Sequence, residues 1–63
     1  MKHYEIRIFN QYGKTSLIFH KLHVNDRVAI QAAEEIAGDR AFDVWRGMDC
    51  IFAAQLASDG TKQ

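Results

Sequence analysis

No proline interrupts this chain, it holds a single cysteine and a single tryptophan, and no apolar run is long enough to cross a bilayer. Each shortage removes a class of answer. One cysteine cannot close an internal disulfide, so the stapled scaffold common among small secreted domains is excluded. No Cys-x-x-Cys, Gly-rich phosphate loop, Gly-x-Ser-x-Gly or His-Glu-x-x-His pattern occurs. The usual signatures of redox, nucleotide, hydrolase and zinc-protease chemistry are therefore missing. Met1-Lys2-His3 runs straight into alternating polar and apolar residues with no secretory h-region. The setting expected is cytoplasmic and reducing, with no membrane association.

What remains is 63 residues, 48% apolar and 25% charged, the composition of a folded domain rather than a disordered one. A chain of this size buries only about 60% of the surface it exposes when unfolded. With disulfides excluded, a metal or a partner subunit remains as the source of added stability. The formal net charge is zero, yet residues 1–25 set Lys2, Arg7, Lys14 and Lys21 against Glu5 alone, and the excess beyond them is acidic. A basic half and an acidic half suit either a second copy of the chain or an anionic ligand on the basic half. Two solvated faces that differ without consequence are the plain alternative.

Gly13, Gly38, Gly47 and Gly60 mark the breaks. Tyr4-Glu5-Ile6-Arg7-Ile8 alternates apolar with charged residues, the period of a half-buried strand. Thr15-Ser16-Leu17-Ile18-Phe19-His20 returns from it after a two-residue Tyr12-Gly13 loop that sets Gln11 opposite Lys14. That register puts Ile8 beside Leu17 and Ile6 beside Phe19 on one face, and Glu5 beside His20 and Arg7 beside Ile18 on the other. From Asn25 the period changes to that of a helix, with Asn25 or Asp26 as cap and Gly38 as terminator. Val28, Ala29, Ile30, Ala32, Ala33, Ile36 and Ala37 form its broad, alanine-rich apolar face.

Ala41 to Trp45 and Cys50 to Ala54 read as a second hairpin around Gly47-Met48. Glycine at the first central position suits a type II′ turn and leaves Arg46 opposite Asp49 as an ion pair. The pairing expected sets Phe42 with Ala53 and Val44 with Ile51 on one face, and Trp45 with Cys50 and Asp43 with Phe52 on the other. The fold class is thus α+β, a ββαββ domain over residues 1–57, with a polar, disordered tail over 58–63. Its four-stranded antiparallel sheet in the order 2-1-3-4 carries the helix on one face.

Three sets of residues bear on chemistry. Cys50 lies across from Trp45 and far in sequence from every histidine, which favours a small hydrophobe over a nucleophile. His3, Glu5 and His20 share a face and could hold a divalent ion, but a Glu5–His20 pair explains two of the three more simply, and His23 points away. No catalytic residue, cofactor or metal is assigned, and the chain is read as non-enzymatic. Lys2, Arg7, Lys14 and Lys21, with Tyr12 and Phe9, form a possible anion-binding surface for RNA or single-stranded DNA; the acidic helix face argues against it.

The side of the sheet away from the helix is the strongest hint. It is expected to hold Phe9, Ile18, Leu22, Trp45, Cys50 and Phe52 among His3, Glu5, Arg7, His20 and Asp43, too aromatic for a purely solvated face. A homodimer, sheet against sheet, would cover it; another protein partner is possible, and so is a fold-back of Gln55 to Gln63. Tyr4-Glu5-Ile6-Arg7-Ile8, the glycine turn, the helix from Asn25 and Phe42-Asp43-Val44-Trp45-Arg46-Gly47 are similar to small uncharacterised bacterial proteins of hairpin, helix, hairpin layout, over residues 3 to 54. That group implies no activity. A looser likeness to the HicB-like antitoxins implies binding to a toxin partner, although three strands usually precede their helix, and no site residue is carried over.

Overall fold

The charged and apolar alternation near the N-terminus can be satisfied by burying one side of an extended strand. In the computed structural model, which describes residues 1–54, strand β1 (Lys2–Phe9) does so. Its Tyr4, Ile6 and Ile8 are at most 2% exposed. Strand β2 (Thr15–His23), helix α1 (Asp26–Ala37), strand β3 (Phe42–Arg46) and strand β4 (Asp49–Ala54) follow. The four strands form one antiparallel sheet in the order β2-β1-β3-β4, so the architecture is α+β with ββαββ connectivity, as expected from the sequence. The expected domain end at residue 57 and the tail 58–63 lie outside the described residues.

Asn25 caps the helix, its Oδ1 accepting from the Val28 N–H at 2.9 Å. At the other end the Gly38 N–H donates to the Glu34 carbonyl. The buried stripe is narrower than the pattern implied: Ala29, Ala33 and Ala37 are shut in, Ile30 and Ile36 flank them, and Val28 remains 38% exposed. Alanines four apart let the helix lie close against the sheet. Opposite that stripe lie Tyr4, Ile6, Ile8, Phe42 and Val44, with Phe19, Ile51, Phe52 and Ala54 around them.

Each hairpin contains a bulge that the sequence pattern did not reveal. In the first, Asn10 rather than Gln11 faces Lys14: the Asn10 N–H donates to the Lys14 carbonyl at 2.8 Å, and Asn10 Oδ1 accepts from the N–H groups of Tyr12 and Lys14. The loop is thus one residue longer than expected. An extra residue at Ser16 offsets it, so from Ile8↔Leu17 to Lys2↔His23 the pairing is the expected one.

In the second hairpin Gly47 has φ 63° and, among the described residues, none other than glycine has positive φ, the sign pattern of a type II′ turn. Arg46↔Asp49 and Trp45↔Cys50 pair as expected. Beyond them the register shifts at Ile51, giving Val44↔Phe52, Asp43↔Ala53 and Phe42↔Ala54. Phe52 therefore belongs to the helix side, not the open side, and its ring lies 5.5 Å from that of Phe42. Strict alternation would have placed this phenyl group beside the Asp43 carboxylate. One inserted residue lets Ile51 and Phe52 both reach the core.

Candidate interaction surface: the open face of the sheet

With Phe52 removed to the core, the open face is built from alternate residues of all four strands. β1 contributes His3, Glu5, Arg7 and Phe9, and β2 contributes Ile18, His20 and Leu22. Asp43 and Trp45 come from β3, and Cys50 and Ala53 from β4. The centre is polar. Arg7 Nε donates to Glu5 Oε2 at 2.6 Å, and its guanidinium carbon lies 5.0 Å from the centroid of the Trp45 ring. The Glu5 carboxylate beside it holds the Arg7 guanidinium above its ordinary range. Glu5 faces His20 across the strands, as expected, but its carboxylate is committed to Arg7.

Asp43 lies directly across from Arg7. Burial pushes its carboxyl up, a rise that the Trp45 indole N–H and the Arg7 charge oppose. The indole acts without closing a hydrogen bond, since Trp45 Nε1 and Asp43 Oδ1 are both buried without a partner.

Apolar exposure is concentrated on β2. Ile18 and Leu22 are 51% and 52% exposed, whereas Phe9 and Trp45 are half-buried. Cys50 lies across from Trp45, as expected, and is exposed, its Sγ donating to the Phe52 carbonyl. Among the described residues, no three His, Cys, Asp or Glu side chains converge as a metal site. His23 is on the helix side, where its ring lies 5.9 Å from that of Tyr4.

The four basic residues of the first hairpin do not form one patch. Lys2 and Lys21 share the helix side with the core-facing positions of their strands, Arg7 is ion-paired on the open side, and Lys14 is in the turn. Sequence reasoning also missed a hub at the start of the helix. Arg46 Nη1 reaches Asp26 Oδ2 at 2.7 Å and Oδ1 at 2.9 Å rather than pairing with Asp49, and the Tyr4 hydroxyl donates to Asp26 Oδ1 at 2.6 Å. Arg46 shares the helix side with Val44, so it points to the first helical turn while Asp49 lies beside the bend. The Tyr4 hydroxyl, then Arg46, hold the Asp26 carboxyl below the usual carboxylate range, and burial pushes the Tyr4 phenol up. Only the position of Asp26, just after a capping asparagine, pointed to a role there.

No family model, curated protein or solved structure matches this chain. Among the described residues, no helix is long and apolar enough to cross a membrane.

Proposed function

We propose that this protein is a non-enzymatic interaction module, of a reducing, cytoplasmic setting, that self-associates through the open face of its sheet. One observation carries the reading: the helix covers a single side, while on the other Ile18 and Leu22 are half-exposed along β2, with Phe9 and Trp45 half-buried on the same side. Apolar groups grouped in this way on a small domain mark a contact surface. The ion pair of Glu5 with Arg7 does not oppose such a contact, because it is neutral as a unit and already packed against Trp45.

Sedimentation equilibrium of the chain and of the double variant Ile18→Ser/Leu22→Ser tests this. The chain is expected to be a dimer and the variant a monomer; a chain that stays monomeric at high concentration ends the proposal. Binding of RNA or single-stranded DNA has less support, since its basic residues are divided between two faces and a turn. A phosphate-driven complex would weaken steeply with added salt, and an apolar one would not.

A further inference from the structure

Strand β2 is an edge of the sheet, and its main chain shows what could complete it. The Phe9 N–H donates to the Ala41 carbonyl on the β3 side, and the Asn10 N–H donates to the Lys14 carbonyl on the β2 side. By the alternation of an antiparallel ladder, Tyr4, Ile6 and Ile8 direct their N–H and C=O groups at β2, where Lys21, Phe19 and Leu17 meet them. Ile18, His20 and Leu22 then turn theirs outward.

The two edges of the sheet differ in how they are guarded. β4 has 6 residues and is interrupted at Ile51, and a bulge is a common protection against strand addition. β2 has 9 residues, and its bulge at Ser16 lies next to the turn, which leaves Leu17 to His23 regular. No proline blocks it, and Lys21 is its only lysine. A strand that meets water on one side alternates, whereas a strand covered on both sides is apolar throughout. Leu17, Ile18 and Leu22 are 43%, 51% and 52% exposed, and they occupy both faces of β2 with Phe19 between them.

We infer that the edge of β2 pairs antiparallel with β2 of a second copy, about a two-fold axis at His20, making one continuous sheet of the two subunits. This rests on the self-association proposed above and narrows it: of the open face only Ile18 and Leu22, on the edge strand, take part, and Trp45 stays outside the contact. In that register Ile18 packs against the partner's Leu22 on the open side, twice by symmetry. On the helix side Lys21 lays its aliphatic stem along the partner's Phe19. Moving the axis to Ile18 would set Ser16 against His20 and leave Leu22 without an apolar neighbour. A second copy is the fitting occupant because β2 is the one long regular edge among the described residues, and an isologous pair needs the same strand twice.

The test is sedimentation equilibrium of the full chain, of His20→Pro and of Trp45→Ser, with circular dichroism to check folding. The His20 N–H points outward, so proline there removes no bond of the subunit's own ladder. His20→Pro is expected to weaken the dimer by about tenfold or more through the two bonds lost across the axis. Trp45→Ser is expected to leave it unchanged. In the unmodified chain, the amides of Ile18, His20 and Leu22 should gain protection from hydrogen exchange as concentration rises, a result that decides the matter even if the proline variant fails to fold. A dimer that Trp45→Ser breaks and His20→Pro spares, or whose β2 amides stay unprotected, overturns the edge pairing and leaves self-association standing. A monomeric chain overturns both.

Discussion

Replacing Phe52 by alanine asks whether the bulge at Ile51 decides which face that ring occupies. In the observed register Phe52 is half-buried against the core with its centroid 5.5 Å from Phe42. A fully packed Phe→Ala change costs about 3–5 kcal/mol. Half burial reduces this to about 2 kcal/mol, of which the aromatic pair supplies about 1 kcal/mol. At about 0.05–0.15 kcal/mol per residue, a chain of 63 residues has only about 3–9 kcal/mol in total. The loss is therefore large for this protein. With a urea slope of about 1 kcal/mol per molar, the unfolding midpoint should fall by about 2 M. Cys50→Ala, at an exposed position on the same strand, should stay within about 0.5 kcal/mol. If the two variants unfold together with the parent, Phe52 faces the open side and the strands pair without the bulge.

Asp26 has a folded-state pKa below its unfolded value, so what it contributes is fully present above the unfolded pKa and is lost as pH falls through the folded one. Asp26→Asn should lower the thermal midpoint at about pH 7 and close the gap to the parent at about pH 2; an equal difference at both would remove Asp26 from the account. Gly38 sits at φ 68° and ψ −120°, with nothing within 4 Å of where a Cβ would stand. Gly38→Ala should therefore cost about 1–3 kcal/mol through backbone strain alone, read by urea unfolding, and an unchanged midpoint would refute this.

The periodicities carried most of the fold. Two-residue alternation in Tyr4 to Ile8 and the alanines at Ala29, Ala33 and Ala37 named a strand and a helix. The turn of Gly47 needed only a residue free to take positive φ. The 2-1-3-4 order followed from keeping all neighbours antiparallel once the helix had returned the chain. The surface was less legible. Phe9, Ile18, Leu22, Trp45 and Cys50 fall on the open side, but Phe52 does not, and the basic residues divide between the faces.

Sequence alone determined the elements, their order and the sides taken by β1 and β2, because repeat period and turn chemistry act between near neighbours along the chain. Tertiary structure decided the bulges at Ser16 and Ile51, the side taken by Phe52 and the choice of Asp26 over Asp49 by Arg46. Those outcomes depend on which groups compete for one volume of core or one carboxylate, and that competition exists only after the layers have met.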